Sequence, residues 1–295
     1  MPLWIAATLF ASTMQAVRFL LQKRLSVGAG PVAATFARFV YAPPVLALGL
    51  AVWAARGGTW PAIGPGFAPF AVAGGVSQIL ATVLVVATFS RRNFAVGNAL
   101  SKTSVLLTVG TGLLLLNELP SPGAIMAIAV CVAGVVVLSV PEGVRWQAAL
   151  TDRAILYGLG AGACFAVSGV SYRGASLAVD TPDAMVRAAV TLLMVTAFQT
   201  FVLAAWMLWR DRAGLRAVFA NWRASGAIGA TSMLGSLGWF TAYTLQQAAL
   251  VNAVGQVELI LSLAISTLIL GERVTWRESV GVALVGGSVA ALLLA

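Results

Sequence analysis

Stretch after stretch of about 20 apolar residues follows one another along this chain, and the breaks between them are short. A helix of that length rises about 30 Å at 1.5 Å per residue, the thickness of a bilayer's hydrocarbon core. Runs that long exclude a membrane β-barrel, whose strands need only about 9–11 residues. Composition agrees. Hydrophobic residues make up 60% of the chain and charged residues 9%, against about 25% charged in a soluble domain. The class expected is therefore all-α integral membrane.

Runs broken by Gly, Pro and charge predict ten helices, over residues 2–22, 32–55, 67–90, 95–117, 122–140, 153–174, 182–209, 224–247, 250–270 and 275–294. The first run has no basic segment before it, carries Arg18 and ends in Gln-Lys-Arg, so it reads as a retained helix and not a cleaved signal. Pro182 after Thr181, and Pro122 after Ser121, sit where a first helical turn accepts proline. Thr275 and Glu278 have capping-box spacing.

The halves overlay. Asn98 falls on Asn252, and Glu118 on Glu272, at one offset (252 − 98 = 272 − 118 = 154). A nearby offset sets Arg38 on Arg187 (187 − 38 = 149). Five helices per half reverse the direction of the second half, which predicts two inverted repeats, residues 1–147 and 148–295, around a central cavity.

These same segments carry a family resemblance. The runs Leu113–Ser139 and Leu268–Ala295, each entering through a Glu, together with Arg38 in "ARF", Arg187 in "VRA" and Glu258 in "GQVELI", resemble the EamA-type branch of the drug/metabolite transporter superfamily. Leu259 stands where that family usually has Pro, and Ser104 where some relatives have Glu. The resemblance implies ten helices in a 5+5 arrangement and secondary transport of small organic solutes, often export of amino acids, other metabolites or drugs.

The charges inside the runs carry the functional reading. Lys102 and Glu258 lie seven or eight residues within their helices, roughly 10–12 Å deep at 1.5 Å per residue. A charge at that depth costs about 2.5–3.5 kcal/mol on insertion scales. Two arrangements remain open: a direct ion pair, or two ends of a zwitterion site, with Lys102 taking a carboxylate and Glu258 an ammonium. Gln78, Asn98, Trp239, Tyr243 and Ser262 are the candidate walls. Trp239 and Tyr243 share a helix face with Ser232 and Ser236, and Ser262 and Ser266 share one with Gly255 and Glu258. Arg18, Arg38 and Arg187 lie near helix ends and are expected to snorkel. Glu118 and Glu272 are expected to accept from the first N–H groups of the next helix.

Several absences narrow the field. No histidine is present, and no nucleophile–base set, metal-ligand cluster or phosphate loop is recognisable, so neither an enzyme nor a cofactor or metal site is expected. Cys131 and Cys164 fall inside apolar runs and read as packing residues. The net charge of +9 comes from scattered residues at run ends, which marks topology and not nucleic-acid binding. From Ala224 to Glu272 there is no Lys or Arg, which disfavours phosphate substrates and favours zwitterions or cations.

The leading expectation is an exporter of amino-acid-like solutes, a monomer or weak dimer in a bacterial inner membrane, with protons as a candidate coupling ion. Proton-coupled efflux of drugs or quaternary cations is the second transport reading, and a non-transporting scaffold the reading from another class. Twelve Lys and Arg residues fall in the loops of one side and two in the loops of the other, which puts both termini outside the cytoplasm; the resemblance implies the reverse.

Overall fold

The computed structural model describes residues 1–88, 100–139, 153–270 and 275–294. Twelve helices cover most of them. They are α1 (Leu3–Val40), α2 (Ala42–Ala55), α3 (Phe67–Thr88), α4 (Ser104–Leu116), α5 (Pro122–Ser139), α6 (Arg153–Leu177), α7 (Ala184–Arg210), α8 (Arg212–Ala220), α9 (Trp222–Leu245), α10 (Ala248–Val254), α11 (Val257–Leu270) and α12 (Trp276–Leu294). The protein is an all-helical, multi-pass membrane protein: five spans among the described residues are long and apolar enough to cross a bilayer by themselves, and shorter apolar helices accompany them.

The expected spans are recovered, with informative exceptions. The first two run together as α1, because the polar residues at 23–26 are sound helix formers; polarity alone does not stop a helix. The real break is at Gly30, whose φ of 85° only glycine adopts freely, followed by Pro31. A second break at Tyr41 precedes Pro43 and Pro44, which open α2. The expected ninth helix is interrupted at Gly255 and Gln256, between α10 and α11. The fourth is interrupted at Lys102 and Thr103, just before α4; its first residues, 95–99, lie outside the described ones. The polar stretch after α7 is the short helix α8, capped by Asp211, which accepts from Gly214 N at 2.8 Å.

Entry signals also resolve. Thr275 and Glu278 form the capping box, with Thr275 N donating to Glu278 Oε2 at 2.7 Å and Glu278 N to Thr275 Oγ1 at 3.2 Å. Ser121 caps α5 through Ala124 N at 3.2 Å. At α7 the cap is Asp183 and not Thr181: Asp183 Oδ1 accepts from Met185 N at 2.8 Å, because a carboxylate aimed at the first amides outcompetes a hydroxyl set back by two residues.

Close antiparallel pairs assemble the bundle. In α1 against α9, Gly238 faces Ala7 and Gly235 faces Ala11 and Met14. In α3 against α6, Gly74 faces Ser171 and Tyr172, while Gly174 faces Phe70. In α5 against α12, Gly134 faces Leu284 and Val285, and Gly281 faces Leu138. Small residues at these crossings let the backbones approach, which is how helices associate where lipid removes the hydrophobic drive. At the face where α2, α4, α6 and α9 end, two short strands, β1 (Ala62–Ile63) and β2 (Val179–Asp180), pair antiparallel, and Gly64 N donates to Ala178 O at 2.8 Å. Cys131 and Cys164 are free thiols, as packing residues should be.

Candidate functional site

Both helix interruptions face one another across the bundle. Where α10 gives way to α11, Glu258 N still reaches Gly255 O at 3.1 Å, so the chain turns tightly and presents Glu258 in the first turn of α11. Where the chain enters α4, Val105 N bonds Lys102 O at 3.2 Å and Lys102 is carried inward. Lys102 Nζ and Glu258 Oε2 stand 3.4 Å apart. Of the two arrangements left open by the sequence, the direct pair is the one present. Gln15 on α1 adds a hydrogen bond from Nε2 to the same Glu258 oxygen at 2.7 Å. Lys102 is 8% exposed and Glu258 6%. For charges buried to this degree a pair is favourable only with further hydrogen bonds of this kind.

The pair borders a cavity of about 750 Å³ of empty space, counted out to its open mouth. Gln78, Trp239 and Tyr243 line it with Lys102 and Glu258, so five of the seven expected binding residues converge there. Asn98 lies outside the described residues, and so does the side chain of Ser262. Ser236 also reaches the cavity, whereas Ser232, on the same face of α9, is buried in the protein. Trp239 and Tyr243 stack with centroids 5.8 Å apart. The indole lies across Gly255, where a Cβ would overlap its Cη2 atom, so only glycine leaves that wall in place. Tyr243 Oη donates to Asn252 Oδ1 at 2.7 Å, and Asn252 Nδ2 donates to Thr108 Oγ1 at 2.9 Å, tying α9, α10 and α4 into one polar chain.

Three charged residues depart from expectation. Arg38 does not snorkel: it is 4% exposed and lines the cavity. Arg38 stands in the last turn of α1, but the chain continues into α2 and the apolar span runs Gly28–Ala55, so Arg38 lies within the span and not at its edge. Arg38 Nη1 donates to Thr82 Oγ1 at 2.8 Å. With the Gln78 amide turned to face it, the Gln78 oxygen accepts from Arg38 Nη1 at 3.1 Å and Nη2 at 2.5 Å, and the Gln78 nitrogen donates to Ser168 Oγ at 3.1 Å. Arg18 is also buried, at 3%, and is close enough to interact electrostatically with both Arg38 and Glu258. For Arg18 the sequence signal was Gly30-Pro31: a helix broken there, not at the polar residues before it, puts Arg18 in the interior. For Arg38, already expected inside the second helix, no local signal marks the burial.

Glu118 is the third. Instead of capping α5 it takes Arg173, whose Nε lies 2.8 Å from each of its carboxylate oxygens. Arg187 behaves as expected, donating from Nη2 to Thr181 O at 2.5 Å near the start of its helix. Glu272 lies outside the described residues.

Comparisons with known proteins agree with this architecture. Among solved structures, a crystal structure described only as that of a protein matches with a TM-score of 0.69 over 99% of this chain and 96% of its own, at 16% identity, which speaks for the fold alone. No curated protein matches the sequence. Residues 152–294 match the EamA-like transporter family, whose members are membrane transporters of small solutes. The second half of the chain, residues 152–294, belongs to the EamA-like transporter family, and this supports membership of the drug/metabolite transporter superfamily.

Proposed function

We infer that this protein is a secondary transporter that exports small zwitterionic solutes, amino acids foremost, across a bacterial cytoplasmic membrane. The observation that carries the reading is the Lys102–Glu258 pair, set at two interrupted helices on the wall of a cavity that also bears a Trp–Tyr stack. Interrupted helices with charges at mid-depth are how inverted-repeat carriers build a site between their halves. A site at such a junction serves both sides of the membrane when the halves rock against each other.

The packing supports two inverted repeats over residues 1–147 and 148–295. Exchange of the halves turns the α3–α6 pair into the α9–α1 pair and maps the α5–α12 pair onto itself, and each of these pairs is joined through glycine. Glu258 is the cation-recognising group and the group through which protons couple. Basic residues concentrate on the face carrying α8, which favours that face as cytoplasmic and both termini as external.

The test is solute counterflow in proteoliposomes with a panel of amino acids and quaternary ammonium compounds, with and without a pH gradient. Amino acids should exchange, and Glu258→Gln should abolish their exchange and any pH dependence while the protein remains folded. Wild-type rates for Glu258→Gln across a pH series would defeat the reading. Movement of quaternary cations alone, driven by the pH gradient, would replace it with drug efflux.

A further inference from the structure

The cavity holds more positive charge than its one carboxylate can balance. Arg38 and Lys102 line it, Arg18 is buried close by, and among the described residues Glu258 is the single acid on its wall. Three cations against one anion leave a surplus of two positive charges. All three come from the first half of the chain, which is why the scarcity of Lys and Arg in the second half gave no hint of them.

The two cations on the cavity wall differ in how they are satisfied. Lys102 is paired with Glu258. Arg38 has no carboxylate partner among the described residues. Its Nη atoms are held by neutral oxygens, Thr82 Oγ1 and the Gln78 carbonyl, and its Nε is buried with no hydrogen-bond partner. A buried guanidinium met only by neutral groups keeps a large unsatisfied preference for an oxyanion, and its planar fork suits a carboxylate. Thr82 and Gln78, the latter anchored in turn by Ser168, fix the plane of that fork. Such rigidity favours selective recognition, because little side-chain freedom is lost when the ligand arrives.

We propose that Arg38, positioned by Gln78 and Thr82, is the carboxylate-recognising subsite of the cavity, so that the transported solute carries a carboxylate at the Arg38 end and an ammonium at the Glu258 end. This rests on the transport reading above and revises it in one respect: the carboxylate is assigned to Arg38, while Lys102 serves Glu258. The Trp239–Tyr243 stack, on the same wall, takes the apolar part of the solute. The ligand class is a monocarboxylate with a primary ammonium and a flat or branched apolar side chain.

Four probes that share one ring separate the parts of the claim: phenylalanine, phenylalanine amide, 3-phenylpropionate and phenethylamine. Each is measured with purified full-length protein, by competition against phenylalanine counterflow and by ligand-induced thermal stabilisation. The wild type should prefer phenylalanine over its amide by about 30-fold or more, in the range expected when a charged hydrogen-bond pair is lost. Arg38→Gln should bring that ratio close to one while still binding phenethylamine. Arg38→Lys, which keeps the charge and the fold's charge balance, should lower the ratio about tenfold, and it decides the matter if Arg38→Gln does not fold. Equal binding of acid and amide by the wild type, or an unchanged ratio in Arg38→Lys, would overturn the proposal. The two readings fail separately. Binding of 3-phenylpropionate with no binding of either amine would keep the Arg38 subsite and defeat the zwitterion reading. Loss of amine binding in Glu258→Gln with the acid preference intact in both Arg38 variants would do the reverse.

Discussion

Arg173 on α6 grips Glu118 with its Nε, 2.8 Å from each carboxylate oxygen, and its Nη1 donates to Tyr243 O at 2.7 Å and Gln246 O at 2.8 Å. One guanidinium therefore fastens the end of α6 to the ends of α4 and α9. The carbonyls of Tyr243 and Gln246 belong to the last turn of α9, where helix oxygens lack partners and a cation is favourable. Beside it Ser176 and Thr244 share a hydrogen bond between α6 and α9. Arg173→Ala removes all of these donors together. It should cost on the order of 2 kcal/mol, as lost hydrogen bonds to charged groups do, visible as a lower melting temperature in detergent. Glu118→Gln should cost less, because the amide oxygen continues to accept.

Lys102→Met strips Glu258 of a buried cationic partner but leaves the Gln15 hydrogen bond. The expected loss is about 3 kcal/mol, at the lower end of the cost of breaking a buried pair because that hydrogen bond persists. Lys102→Met combined with Glu258→Gln should recover most of the stability without recovering transport. A double-mutant cycle on melting temperatures measures this; additive losses would show that the two residues do not interact.

Gly255→Ala should leave the bundle folded but displace the Trp239 indole, since the new methyl group falls on the ring. Solute affinity should drop about tenfold or more. The emission maximum of Trp239, isolated by replacing the other tryptophans with phenylalanine, should shift as the ring moves.

Gly281→Leu forces a side chain against Leu138 Cγ, 2.5 Å from where its Cβ would stand, and against Gly134 O at 3.1 Å. Overpacking of this kind costs about 1–3 kcal/mol. Gly286→Ala, five residues on in the same helix with nothing within 4 Å of the new methyl group, is the matched control and should not lower the melting temperature.

A single cysteine at Arg212, in a background where Cys131 and Cys164 are replaced, reports sidedness. It should resist an impermeant maleimide in intact cells and react once they are permeabilised, if the basic face is cytoplasmic. Labelling in intact cells would invert the orientation.

Much of this architecture was legible before any coordinates. Apolar runs of membrane length located nearly every helix, and mid-depth charges picked out Lys102 and Glu258, because burying a charge in hydrocarbon has few explanations. The misreadings have a common cause. Periodicity and composition register what a helix faces, not where its axis breaks. The polar residues at 23–26 looked like a loop, and Gly30, one residue with a positive φ, was the actual break. That error placed Arg18 near a helix end, whereas the break lies twelve residues beyond it (30 − 18 = 12). The breaks at Lys102 and Gly255 fall inside runs long enough to be read as single helices, so their polar residues marked the site but not the interruption. Glu118 failed as a cap because its partner is supplied by a residue 55 positions away, which no local rule reaches.

The short ladder between residues 62–63 and 179–180 is written entirely in amides and carbonyls. It is a rivet whose specification is almost absent from the alphabet of side chains. Ala62, Ile63 and Asp180 are exposed and could be exchanged for many other residues with the ladder intact, whereas a proline in place of a donating amide would break it; Val179 is the exception, buried in the core. A scan by alanine would pass over this joint in silence, and a scan by proline would find it.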